Sequence, residues 1–169
     1  MKKEGLKKEA ERLVFGALVS VSLFGTVMIH ASGADTELSA EYVQYCREAG
    51  QAYHICPEFL EAVIEQESGG DPDAVGKDGE IGLMQVYPEY HLDRMERLGM
   101  HNLFDPRENI FVAADYLSEL FFEYGDAGTA LMAYNGTGDV AERGGRGDYT
   151  GYAVEVMERA RQLERMHGK

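Results

Sequence analysis

The sequence predicts a mainly α-helical domain over residues 35–169, with one small β or irregular insertion after its second helix. Three observations lead there. From Leu38 onward, apolar residues recur at helical spacing in segment after segment. These segments carry helix start and stop residues, among them Pro57, the run Asp105-Pro106-Arg107-Glu108, Gly99 and Gly125. Between them, residues 69–87 are rich in turn formers (Gly69, Gly70, Asp71-Pro72, Gly76, Asp78-Gly79, Gly82) and have room only for a small strand pair near Ile81–Val86.

The chain opens differently. Lys2, Lys3, Lys7, Lys8 and Arg12 precede an uncharged run from Leu13 to Ile29, and His30-Ala31-Ser32-Gly33-Ala34 follows it. A basic start, an apolar stretch and small residues mark residues 1–34 as a signal peptide or an N-terminal membrane anchor. The apolar run, residues 13–29, is long for a cleaved signal and short for a spanning helix, so both readings stand. The basic side stays in the cytoplasm, which places the remainder outside it, secreted or tethered to the outer face of the cytoplasmic membrane.

Each element of the remainder has its own warrant. A first helix over 38–53 is read from Leu38, Tyr42, Cys46, Ala49 and Tyr53. A second, 57–68, begins at Pro57 and is stopped by Gly69-Gly70. A short amphipathic helix runs from Pro88 to Leu98. Asp105 caps a long helix whose buried face holds Ile110, Ala113, Ala114, Leu117, Phe121 and Tyr124. Asp126 caps the next, with Ala130, Leu131 and Tyr134. A glycine-rich loop follows (Gly136 to Gly147), and a final helix starts near Gly151 and buries Ala153, Val156, Met157, Ala160 and Leu163.

Charge narrows the partners. Residues 35–169 hold 11 basic and 27 acidic side chains, a net charge of −16. That argues against nucleic acid and against adhesion to anionic polymers. The plainest use of such acidity is solubility. Cys46 and Cys56 are the only cysteines. In an oxidising compartment they are expected to form a disulfide between the first two helices, stabilising by about 3 kcal/mol; two free buried thiols are the alternative. Their spacing has no metal-site character.

Glu67 stands out. On the second helix Leu60, Val63, Ile64 and Glu67 fall in one stripe, whereas Glu58, Glu61 and Glu65 fall on the opposite side, expected to face water. A glutamate in a last helical turn ordinarily frays into solvent. Amid Leu, Val and Ile it is desolvated, and the negative end of the helix dipole adds to the effect, so its pKa should lie above the usual value of about 4.3. A carboxyl kept protonated near neutrality is suited to general acid catalysis.

Four segments then line up in order: Glu67-Ser68-Gly69 at a helix end, Gly82-Leu83-Met84-Gln85 after the glycine-rich stretch, Ala133-Tyr134-Asn135 at a later helix end, and Tyr152 opening the last helix. In this order and spacing, over about residues 38–165, the chain resembles the catalytic domain of the soluble lytic transglycosylases, relatives of goose-type lysozyme. The resemblance implies a lysozyme-like fold with a groove for peptidoglycan strands, without metal or cofactor. It implies non-hydrolytic cleavage of the β-1,4 bond between N-acetylmuramic acid and N-acetylglucosamine, leaving 1,6-anhydro ends. Glu67 would be the single acid and base. Ser68 would orient it or touch substrate, Met84 and Gln85 would line the groove, Tyr134 and Asn135 would bring a phenol and an amide to the sugar, and Tyr152 would reach back to Glu67. Packed aromatics, core methionine and ordinary helix ends are the bland readings of the same residues. Ordinary hydrolysis needs a second carboxylate, which Asp71, Asp73, Asp78 or Glu80 could supply. The alternatives are therefore a hydrolytic lysozyme on the same fold and a non-catalytic glycan-binding scaffold. A monomer serving an envelope-spanning secretion or conjugation machine fits a minimal domain of this kind. The sequence departs from the family's habits at Gly70, at Gly136-Thr137 and over Asp148-Tyr149-Thr150-Gly151.

Overall fold

The computed structural model describes residues 37–169. The export segment expected over residues 1–34 lies outside the described residues. Among those described, no helix is long and apolar enough to cross a membrane.

Among the described residues seven helices follow one another: α1 (Ala40–Tyr53), α2 (Pro57–Glu67), α3 (Pro88–Leu98), α4 (Pro106–Tyr124), α5 (Ala127–Tyr134), α6 (Val140–Gly145) and α7 (Gly151–Met166). Their ends are built as the sequence implies. Asp105 accepts from Glu108 N and Asp126 from Thr129 N, so both long-range helices of the middle start on carboxylate caps. Gly99 and Gly125 end α3 and α4 in the left-handed conformation. The glycine-rich loop holds one short helix, α6, that periodicity does not reveal, because at six residues it has no apolar stripe.

The mainly α expectation holds, and the insertion is irregular rather than a true sheet. Two isolated antiparallel bridges, Val75 to Ile81 and Ile81 to Val86, are its only strand-like pairing among the described residues. Ile81 is thus the hinge of two successive tight reversals, with N–H to O distances of 3.0 Å each way to Val86.

α2 is the centre of the fold. Leu60, Val63 and Ile64 are fully buried, and they meet Leu83, Met84, Ile110 and Leu131 from the surrounding elements. α2 packs on α1 at one side and most extensively on α7 at the other. This second packing corrects the expectation that Glu58, Glu61 and Glu65 face water. Glu58 is 2% and Glu61 3% exposed. The reason is that α7 runs antiparallel along that face and covers it. Glu65 takes Arg159 Nη2 at 2.9 Å. Glu58 takes His167 Nδ1 at 2.9 Å and Lys169 Nζ at 2.8 Å. Burial alone would raise the Glu58 pKa, but hydrogen bonds from Cys56, Lys169 and His167 outweigh it and hold the carboxylate at about 2.

The expected disulfide is absent: Cys46 and Cys56 are both free thiols. Cys46 is fully buried in the core beneath α1, whereas Cys56 Sγ sits 2.9 Å from Glu58 Oε2 and 3.2 Å from Glu164 Oε1. The polar end of α7 has claimed the second sulfur. Burial, then the two carboxylates, pushes its pKa up to about 11, so it stays a thiol.

The cluster at the start of α2 gives a stability prediction. Because the Glu58 pKa falls on folding from 4.5 to about 2, its contribution is present above pH 4.5 and is lost as pH falls toward 2. Replacing His167 and Lys169 together by Ala should cost about 2–4 kcal/mol at pH 7. In urea titrations this difference should shrink toward zero near pH 2.

Candidate active site

The site forms where the end of α2, the 82–85 turn, the end of α5 and the start of α7 converge. Glu67 is the last residue of α2 and is half-buried. Tyr152, second residue of α7, donates its hydroxyl to Glu67 Oε1 at 2.5 Å. Burial raises the Glu67 pKa, the Tyr152 hydrogen bond pulls it down, and the charge of Glu80 pushes it up again, leaving it at about 7. The sequence-based expectation of a raised value agrees with this, and burial is the leading cause. Tyr152 itself is pushed far above the usual phenol range by burial and by the Glu67 charge, so it acts only as a donor.

Ser68 ties the helix end to the opposite wall. Its hydroxyl donates to Leu83 O at 2.8 Å and accepts from Gly70 N at 3.1 Å. Gly69 and Gly70 then turn the chain away with φ of 65° and 86°. The facing turn is held from below by Asn109, a fully buried residue of α4. Met84 N donates to Asn109 Oδ1 at 2.9 Å, and Asn109 Nδ2 donates to Ile81 O and Leu103 O at 2.8 Å each. Gly82, with φ of 74°, lies so close that a Cβ there would come within 2.5 Å of Asn109 Nδ2 and of Leu103 O.

The two residues expected to line the groove, Met84 and Gln85, are placed differently from that reading. The Met84 side chain is fully buried in the core, and Met84 meets the site through its carbonyl, which accepts the Tyr134 hydroxyl at 2.7 Å. Gln85 folds its amide back onto Gly82 O at 2.9 Å and Ala74 O at 3.3 Å, with a left-handed φ of 47°. Asn135 ends α5 as its C-cap and is exposed. The structure therefore brings Glu67, Ser68, Tyr134 and Tyr152 together with the Met84 main chain.

Of the loop carboxylates, Glu80 is the one whose charge reaches Glu67. Its Oε1 accepts from the Tyr87 hydroxyl at 2.6 Å and its Oε2 from Asp78 N at 3.0 Å. Burial raises its pKa, but these hydrogen bonds from Tyr87 and the backbone prevail and lower it. Two neighbouring carboxyls are thus driven apart: Glu67 protonated near neutrality, Glu80 ionised. No group of three or more His, Cys, Asp or Glu side chains among the described residues is arranged to hold a metal ion.

Asn109 was missed in the sequence, although its signal was present. It shares a helical face with Ala113 and Tyr116 of α4, a lone amide on a buried stripe, as Glu67 is a lone carboxyl on another.

Comparison with known proteins points one way. A family model, Transglycosylase SLT domain, matches residues 44–151, more than half of the chain. A transglycosylase of Enterobacteria phage PRD1 is 36% identical over 98 residues, covering 58% of this chain and 36% of the relative. The invasion protein IagB of Salmonella typhi is 33% identical over 150 residues, covering 82% of each. The 70 kDa soluble lytic transglycosylase of Escherichia coli shares the fold with a TM-score of 0.65 at 22% identity, over 76% of this chain and 25% of its own.

Two measurements check the site. The Glu67 pKa falls from about 7 to 4.5 on unfolding, so the fold favours the protonated form: its contribution is full below pH 4.5 and is lost as pH rises through 7. Glu67→Gln should therefore stabilise by roughly 1–3 kcal/mol at pH 8 and by nothing at pH 4. Asn109→Ala leaves two buried backbone groups, Met84 N and Leu103 O, without their partner and should cost about 2–4 kcal/mol in urea unfolding at any pH between these.

Proposed function

The chain belongs to the transglycosylase SLT family, and on that footing we propose that it is a lytic transglycosylase that cuts peptidoglycan strands at the β-1,4 bond between N-acetylmuramic acid and N-acetylglucosamine. The observation that carries this reading is a single carboxyl, Glu67, protonated up to about pH 7 and held by Tyr152. Its companion Glu80 has hydrogen bonds on both oxygens.

In the proposed reaction Glu67 gives its proton to the glycosidic oxygen, and the C1–O bond breaks with its electron pair going to the departing N-acetylglucosamine. The N-acetyl oxygen of the muramic acid supports the positive charge at C1, the substrate-assisted exception to two-carboxylate hydrolysis. Glu67, now ionised, takes the proton of the C6 hydroxyl as O6 closes on C1. The product is a 1,6-anhydro ring, and Glu67 is protonated again. Tyr152 keeps the carboxyl in one orientation through both transfers. Glu80 accepts one hydrogen bond on each oxygen, and its charge helps to keep the Glu67 proton in place. The Tyr134 hydroxyl, the exposed Asn135 amide and the rim around Gln85 are proposed to meet the sugar.

Residues 1–34 are proposed to export the domain, secreted or membrane-tethered, so that it acts on the wall. The likeness to an invasion protein along 82% of both chains supports a use in local wall opening for an envelope-spanning machine.

Mass spectrometry of digested sacculi tests the chemistry. Anhydro ends, lighter by one water than reducing ends, are the expected product; reducing ends would make the protein a hydrolytic lysozyme. Glu67→Gln should lower turnover by at least about 100-fold, and wild-type turnover should decline as pH rises through 7 and the acid is lost. Strand binding with no cleavage at all would leave only a glycan-binding scaffold.

A further inference from the structure

We propose that Tyr116, midway along α4, is a positioning residue for Tyr134: its ring is the platform that holds the Tyr134 phenol against the Met84 carbonyl. The proposal rests on the catalytic reading above for its consequence, but on geometry for its substance.

Tyr134 ends α5, and the chain beyond it turns at once through Gly136 with φ of 71°. Its hydroxyl reaches across to Met84 O at 2.7 Å. Beside the ring lies Tyr116, whose centroid is 5.6 Å from that of Tyr134 at an interplanar angle of 35°. Tilted aromatic pairs at this separation attract, and so favour one placement of the two rings.

Tyr116 is held in turn. His91 of α3 packs against it at 4.7 Å between centroids, and the Arg94 guanidinium lies 5.1 Å from its ring centroid. Arg94 has no freedom to leave. Its Nε donates to His91 Nδ1 at 3.3 Å, its Nη2 to Glu119 Oε2 at 2.6 Å, and its Nη1 to Asp115. His91 is 9% exposed, and burial followed by the Arg94 charge lowers its pKa to about 4, so it remains the neutral acceptor that Arg94 needs. A continuous column of planar groups therefore runs from α3 through α4 to the phenol beside Glu67. The column explains why a buried histidine and an arginine, neither of which contacts the catalytic carboxyl, sit together under the site.

The ring of Tyr116 is what the column requires, not its hydroxyl. Tyr116→Phe should leave turnover as in the wild type. Tyr116→Leu removes the platform and should lower kcat by about tenfold or more, the order expected for a misplacement near 1 Å, with KM within about twofold. The same variant should lower the Glu67 pKa measured by carbon NMR, because a displaced phenol admits water to the carboxyl. A merely structural role would reduce the folded fraction without moving that titration. Should Tyr116→Leu fail to fold, Arg94→Met loosens the column from its far end and should shift kcat and the Glu67 titration in the same direction by a smaller amount. Folded Tyr116→Leu with wild-type kcat and wild-type Glu67 titration would overturn the proposal, as would Tyr116→Phe losing as much as Tyr116→Leu. If wild type releases no anhydro ends, the catalytic reading fails alone, and the NMR titration still decides the role of Tyr116.

Discussion

The 2.5 Å contact between the Tyr152 hydroxyl and Glu67 joins the first turn of α7 to the last turn of α2. It can exist only if the two helices run antiparallel in one register. That register is fixed at intervals along their length. Arg159 engages Glu65 two turns further along α7, and His167 with Lys169 engages Glu58 at the far end. Most of these partners are buried or half-buried, where an ion pair has a narrow range of acceptable geometry and a misregistered one is costly. The carboxylates at the start of α2 thus serve the carboxyl at its end. They exact the helix alignment without which Tyr152 would miss Glu67.

The opposite wall of the site uses main chain rather than side chain. The 82–85 turn offers Leu83 O to Ser68 and Met84 O to Tyr134, and Asn109 supports it through three hydrogen bonds from within the core. Carbonyl positions are set by backbone geometry alone, which is why the turn contains Gly82 where a Cβ would strike Asn109 and tolerates Gln85 in a left-handed conformation. The side chains that meet at the site are few, and the precision lies behind them.

Much of this was legible in the sequence, and the parts that were not have a common cause. Helix ends were readable because caps are local: Asp105, Asp126, Gly99 and Gly125 each act within one turn. Glu67 was readable because a carboxyl on an apolar stripe is an anomaly of one element. Glu58 and Glu61 were misread for the converse reason. A helix with charges on one face looks half-solvated until a second helix is known to cover that face, and α7 lies about ninety residues away in the chain. The disulfide failed on the same ground, since Cys56 is turned toward Glu164 of that helix. Met84 was assigned to the groove as a side chain, but its part in the site is its carbonyl, and side-chain identity says nothing about where a carbonyl points. The column through Tyr116 joins three helices and has no trace in any one of them.

The two unpaired sulfurs have a bearing on how such a domain comes into being. Closure of this fold depends on burial and ion pairing, with no covalent cross-link among the described residues. A reducing agent therefore has no bond to break among these residues.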